Sequence, residues 1–183
     1  MMELRFEIEF HGPFRVGGGA PTSGMDAPVN LDNPLPATGL KGLMRAQAAE
    51  VLGLPPAVVE EVFGSRAVRC PWAWSDGVLT DAGDGQSRWE LGPSVKVSVD
   101  ERGRARRGFL RFAEVLWSRR AGFIVERMGR IAEDRLRVHR AVLYASAASI
   151  TALGESRLRG FGWVRVSGER PEGFAEAMEE ARK

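Results

Sequence analysis

Leu4, Phe6, Ile8 and Phe10 alternate with Arg5, Glu7 and Glu9, so the chain opens on a period-two strand with one buried face. The pattern breaks at His11-Gly12-Pro13. From Gly17 to Pro36 the chain is rich in Gly, Pro, Asn and Asp and reads as a long loop of the functional or mobile kind. Thr38 is placed to cap a helix beginning near Gly39, and Leu40, Leu43, Met44, Ala48, Val51 and Leu52 share its apolar face. Gly53 stops that helix. A short second one follows Pro55-Pro56, with Val58, Val59, Val62 and Phe63 inward and Gly64 as its stop.

Beyond it, Cys70 to Leu79 reads as one strand entering a turn, and 81–86 as a polar loop. Val95, Val97 and Val99 alternate again, Asp100-Glu101-Arg102-Gly103 is a turn, and Ala105 to Trp117 is its return arm. Gly122 to Glu126 is a further strand. Arg135 to Leu153 is an Ala- and Ser-rich helix with Val138, Val142, Leu143, Ile150 and Leu153 in the core, ended by Gly154. Trp163 to Val166 is the last strand, and Pro171 opens a C-terminal helix carrying Phe174 and Met178. Strand, helix, strand, hairpin, strand, helix, strand is the order of an α+β, ferredoxin-like (RRM-like) βαββαβ core with a hairpin insertion and a long N-terminal loop. Helices then cover one sheet face and leave the other open to a ligand.

With 183 residues there is room for a single domain, 1–183. Within it we assign a functional loop over 17–36, a hairpin insertion over 95–120, a glycine-rich loop over 154–164 and the C-terminal helix over 171–183. Hydrophobic content of 44% and charged content of 27% suit a globular chain with a core. The one cysteine, Cys70, excludes an internal disulfide and a cysteine metal cluster, and His11 and His139 alone make a zinc site improbable. Neither a signal peptide nor a run of ~20 apolar residues is present. These features fit a reducing cytoplasm and no membrane.

Net charge is only +2, yet of 26 basic residues just three are Lys (Lys41, Lys96, Lys183), which leaves 23 Arg. Arginine suits phosphate and stacks on bases, although GC-rich codon usage yields the same count. Location therefore matters more than number. Gly154 to Val164 holds Ser156, Arg157, Arg159, Gly160, Phe161 and Gly162. Its glycines allow N–H groups to approach phosphate, its arginines add charge, and Phe161 is available for base stacking. A helix stop and tight turn explain the same glycines. Leu35 to Arg45 runs a Gly-containing loop into a helix N-terminus, with Lys41 and Arg45 on one face; an ordinary helix start with two solvated cations reads identically. Arg102, Arg104, Arg106, Arg107, Arg111, Arg119 and Arg120 face one acid, Glu114, across the hairpin, which points to a polyanion or to a solvated charged loop. Asp26 in the long loop is a candidate metal ligand, or a plain turn former. His11 is a candidate base without a recognisable partner.

Taken in order, these segments resemble the RAMP superfamily of CRISPR-associated proteins, above all the repeated backbone subunit of type III RNA-guided effector complexes. Leu35-Pro36-Ala37-Thr38-Gly39-Leu40-Lys41-Gly42 is similar to that group's I-P-G-S-S-L-K-G. Met25-Asp26-Ala27-Pro28-Val29 is similar to the loop bearing its target-cleaving aspartate. Val62-Phe63-Gly64-Ser65 resembles L-F-G-S, Val99 to Ala105 resembles its I-D-R-x-T-G-x-A hairpin, and Gly154 to Val164 resembles the glycine-rich loop of the superfamily. The resemblance implies an antiviral effector subunit that stacks in several copies, beside companion subunits, along a guide CRISPR RNA. Arg15, Lys41, Arg45, Arg102, Arg104, Arg106, Arg107 and the glycine-rich loop would contact RNA. The hairpin would act as a thumb kinking the guide–target duplex. Asp26 would bind Mg²⁺ or another divalent ion and cleave target RNA as an endonuclease. A non-cutting structural subunit is the alternative, and a guide-processing endoribonuclease using His11 is a third reading. Departures are Pro36-Ala37-Thr38 in place of P-G-S, a short stretch before Asp26, and the acid Glu155 inside the glycine-rich loop.

Overall fold

The structure is a computed structural model. It describes residues 2–17, 28–80, 89–155, 157 and 160–183, and only the backbone of 99, 107, 108 and 111. In chain order the elements are β1 (Glu3–Phe10), α1 (Ala37–Ala46) with a π-helical turn (Gln47–Val51), α2 (Pro56–Phe63), β2 (Trp72–Trp74), β3 (Val78–Thr80), β4 (Glu90–Val99), β5 (Ala105–Trp117), β6 (Arg120–Arg127), α3 (Glu133–Ala148), β7 (Val164–Gly168) and α4 (Phe174–Ala181). The main sheet has the order β2-β6-β1-β7, with β3 also on β6, and its pairs are antiparallel. β4 and β5 form a separate antiparallel ribbon. This is the α+β class expected.

Alternation in the strands decides which face is covered. Phe6, Ile8 and Phe10 of β1, Ala121, Phe123 and Val125 of β6, and Val164 and Val166 of β7 are buried in one cluster with Leu40, Met44, Val138 and Val142 from the helices. The opposite face carries Glu3, Arg5, Glu7 and Glu9 toward solvent. Phe14 and Leu116, both fully buried, exchange main-chain hydrogen bonds of 2.9 and 2.8 Å and root the ribbon on the core.

Several local expectations are corrected. Thr38 is not the cap of α1: the helix begins at Ala37 behind Pro36, which has no side-chain cap bond. The Ala37 N–H instead donates to Asp76 Oδ1 at 2.7 Å, a partner from the β2–β3 connection. Val51 is 63% exposed because the chain widens into the π-helical turn, which carries it off the face that α-helical spacing would give. Cys70 to Leu79 is not one strand. Ser75 bonds Ile124 through its own N–H and hydroxyl, and the buried Gly77 donates to the Leu35 carbonyl, so β2 and β3 are separated. The hairpin covers 90–117 rather than 95–120, and Arg120 starts β6. α3 begins at Glu133 and ends at Ala148, six residues before Gly154: Ser149 closes it, and Ala152 then bridges Trp163. Ile150 and Leu153 are buried, as expected, but outside the helix. α4 starts at Phe174 after a left-handed Gly173, not at Pro171.

One polar cluster ties four elements together. Glu61 of α2 takes a forked pair of hydrogen bonds from Arg135 of α3 (3.0 and 2.6 Å), and Arg135 also reaches Glu180 of α4. The buried His139 lies between Glu61 and Trp72 of β2.

Candidate nucleic-acid interface

The glycine-rich segment is held by the stretch just after β1. Leu153 N–H donates to the Gly162 carbonyl and Gly162 N–H to the Pro13 carbonyl, both at 2.8 Å. Glu155 N–H donates to the Arg15 carbonyl at 2.7 Å, and the Glu155 carboxylate takes the Arg15 guanidinium at 2.5 Å. A Cβ on Gly154 would land on the Arg15 carbonyl, and one on Gly162 on the Leu153 carbonyl; both residues have positive φ. These two glycines are there so that two backbones can touch. Gly160, also at positive φ (83°), has open space where its Cβ would go. Arg15 is thus committed to Glu155, with its side chain 15% exposed, and its Nε is buried without a partner among the described residues. That pairing spans 140 residues, which is why local pattern does not reveal it. Arg157 is exposed. Ser156 and Arg159 lie outside the described residues.

Beside this segment runs a groove of about 460 Å³. Gly39, Gly42 and Leu43 of α1 form one wall, Leu153, Gly154 and Arg157 the other. The structure therefore brings together two segments singled out separately in the sequence. It does not bring their cations together. Lys41 Nζ sits 5.2 Å from the centre of the Trp74 ring, and Arg45 donates to the Gly64 carbonyl at 3.0 Å, so both turn toward α2 and β2. At the start of α1, Asp76 already receives the Ala37 N–H. That hydrogen bond holds the Asp76 carboxyl below the usual carboxylate range and puts a negative charge where an anion would bind. Arg157 is consequently the cation among the described groove residues.

On the ribbon, Asp100 organises the turn by accepting from Arg102 N–H and Arg104 N–H, each at 2.9 Å, and from Arg104 Nε at 3.1 Å. Arg104 is thereby tied down, Arg102 is exposed, and Arg106 lies 5.2 Å from the Phe109 ring centre. The side chains of Arg107 and Arg111 lie outside the described residues. Pairing places Val95 opposite Phe112 and Val97 opposite Leu110, and all four are 40–53% exposed, an apolar stripe among the arginines that the sequence reading did not single out. Lys96 Nζ is 4.9 Å from the centre of the Phe161 ring, which links the ribbon to the glycine-rich segment and covers the ring proposed for base stacking. Arg120 pairs with Glu7 at 3.2 Å. His11 is exposed and donates its N–H to the Trp163 carbonyl; no described residue hydrogen-bonds its ring. Trp163, 59% exposed, stands next to it. Asp26 lies outside the described residues. Among the described residues no three His, Cys, Asp or Glu gather to hold a metal ion, and no helix is long and apolar enough to cross a membrane.

The family model described as "RAMPs: RAMP superfamily" matches residues 7–165. Two cryo-EM structures contain chains of similar fold. One is of the type III-B Cmr-beta bound to cognate target RNA, with 11% identity, a TM-score of 0.68 and coverage of 92% of this chain and 97% of that one. The other is of the type III-B Cmr-beta in its apo state, with 11% identity, a TM-score of 0.66 and coverage of 91% and 96%. No curated protein matches.

Proposed function

The chain belongs to the RAMP superfamily, and from that premise we propose that it is a subunit of a type III CRISPR effector complex that lies along a guide RNA. One observation carries the reading: the segments around Gly39–Leu43 and Leu153–Arg157, far apart in sequence, line a single groove with Arg157 at its edge. The similar folds come from the type III-B Cmr-beta bound to cognate target RNA and from its apo state.

The order β2-β6-β1-β7, with α1 and α2 before β2 and α3 between β6 and β7, supports reading the domain as a ferredoxin-like βαββαβ core in which one strand is split into β2 and β3. On that reading the β4–β5 ribbon would be the thumb, and its apolar stripe beside Arg102 and Arg106 suits contact with bases as well as phosphates. In the groove, Arg157, Arg159, Ser156 and Gly160 would hold the guide backbone. Arg15 acts one step back, keeping Glu155 neutralised so that an acid can sit beside phosphate. Lys41 and Arg45 would meet RNA on the α2 side of α1.

Asp26 is the residue we assign to target cleavage. A divalent cation held there by that carboxylate and RNA oxygens would supply charge neutralisation at the scissile phosphate. The test is the purified complex in the cytoplasmic setting the reading implies. A small guide RNA should co-purify, and target RNA should be cut at regular intervals in Mg²⁺. Asp26→Ala should preserve assembly and abolish the cuts. A wild-type complex that binds target and leaves it whole makes the subunit structural; a complex free of RNA removes the reading altogether.

A further inference from the structure

β1 is longer than the strand beside it. Met2 accepts from Arg127 N–H (3.0 Å) and Phe10 donates to Arg119 (2.9 Å), so the even-numbered residues of β1 turn their main chain toward β6. His11 N–H donates to Trp163 on the other side, so the odd-numbered residues turn toward β7. β7 accompanies β1 only from Phe10↔Val164 to Phe6↔Gly168. Glu169-Arg170-Pro171 then leaves the sheet, with Arg170 drawn to the Phe174 ring at 4.7 Å. The last rung, Phe6↔Gly168, turns the Glu169 N–H to the Arg5 carbonyl, so on this side the Arg5 N–H and the Glu3 main chain are what is left without a strand beside them among the described residues.

The space where β7 would continue is a notch of about 400 Å³. Leu4 and Phe6 line it from β1, Arg140 and Tyr144 from α3, and Glu169 and Pro171 from the departing chain. Arg140 makes no ion pair with a described residue, and its Nε is buried without a hydrogen-bond partner. A buried guanidinium nitrogen left unpaired is costly, and a carboxylate is the group that satisfies it. An unpaired strand edge selects an extended peptide. Half-buried Leu4 and the Tyr144 ring select an apolar side chain on that peptide.

We propose that this notch binds an extended segment of a partner protein, two or three residues of strand at ~3.3 Å per residue, which pairs with the Glu3 main chain and the Arg5 N–H, buries an apolar side chain against Leu4 and gives a carboxylate to Arg140. The site lies on the sheet edge and does not depend on the groove or the ribbon, so it stands or falls apart from the RNA reading.

The probe is a capped pentapeptide alternating valine and aspartate, added to the chain of residues 1–183. Three results are expected: slowed amide hydrogen exchange at Glu3 and Arg5, binding at least tenfold tighter than the lysine-for-aspartate peptide, and loss of binding when alternate peptide nitrogens are methylated. Arg140→Met should weaken the acidic peptide at least tenfold, and because the peptide series uses the wild-type chain, a poorly folding variant does not remove the test. Unchanged exchange at Glu3 and Arg5 with millimolar acidic peptide, or equal binding of the lysine peptide, overturns the proposal. Slowing of the same amides by raised chain concentration alone also overturns it, because the occupant is then a second copy.

Discussion

Glu155 is the residue that fits a phosphate-binding loop least well, and its geometry explains its presence. Its main-chain N–H and its carboxylate both go to Arg15, so it fastens the glycine-rich segment to the stretch after β1. The glycines divide on the same logic. Gly154 and Gly162 sit where any Cβ would collide with a carbonyl, whereas Gly160 needs only its positive φ. Gly160→Ala should therefore cost about 1–2 kcal/mol, the penalty of a left-handed alanine. Gly154→Ala and Gly162→Ala should each cost about 4 kcal/mol or more, or prevent folding. Urea denaturation measures all of them, and a Gly162→Ala chain no weaker than Gly160→Ala would contradict the clamp. The sequence pattern found the segment but not this division of labour, because the carbonyls that forbid a side chain belong to Arg15 and Leu153 and become neighbours only in the fold.

At the scale of elements, the Glu61–Arg135–His139–Trp72 cluster joins α2, α3 and β2. Trp72 Nε1–H donates to His139 Nδ1 at 3.0 Å, so the ring proton lies on Nε2 and is given to Glu61 at 2.9 Å. A second proton on Nδ1 would face the indole N–H. Burial, opposed by Glu61 and aided by Arg135, holds His139 below its ordinary value of 6.5. Because the folded pKa is the lower one, the unfolded chain binds the proton first, and stability present above pH 6.5 declines as pH falls. Glu61 is lowered from 4.5 to about 2, chiefly by the Arg135 hydrogen bond. Its contribution is present above pH 4.5 and is lost as pH falls toward 2, so acid weakens the chain in two stages. Trp72→Phe removes the indole donor and keeps a ring. We expect a loss of about 1–3 kcal/mol at pH 7.5. The decline between pH 6.5 and 5 should also be shallower than in wild type, since His139 can then accept its second proton. Urea midpoints across that range check both, and a decline as steep as wild type would remove Trp72 from the role. The periodicity of β1, α1, α2 and β6 was legible in the sequence because local spacing sets which face is buried. The break at Ser75–Gly77, the exposure of Val51 and the true start of α1 were not, since each depends on a partner such as Asp76 or Ile124 supplied by another part of the chain.

Across the whole molecule, charge is sorted although the net value is only +2. The open sheet face carries Glu3, Glu7, Glu9 and Glu126 against Arg5, Arg120 and Arg165, and register puts Glu3 directly opposite Glu126. Arg5 is paired with Glu3 and Arg120 with Glu7, so among the described residues that face offers phosphate no cluster of free cations. Arg102, Arg106 and Arg157 lie on the ribbon and the groove side instead, exposed and without ion pairs to described residues. Single-stranded RNA held by about three phosphates through these residues should bind with a log–log salt slope of about −2. Reversing all three to glutamate should bring the slope close to zero and leave thermal unfolding unchanged, because none of them is buried. Reversing Arg5, Arg120 and Arg165 instead should leave the slope where it was. Fluorescence anisotropy on a labelled oligonucleotide over a salt series separates the two sets, and equal effects from both would mean that RNA is attracted by overall charge rather than held by the ribbon and groove. A slope that small would also bear on the proposed assembly: a chain meeting RNA through about three phosphates would bind weakly alone, and on the proposed reading neighbouring copies on the same strand would add the missing contacts.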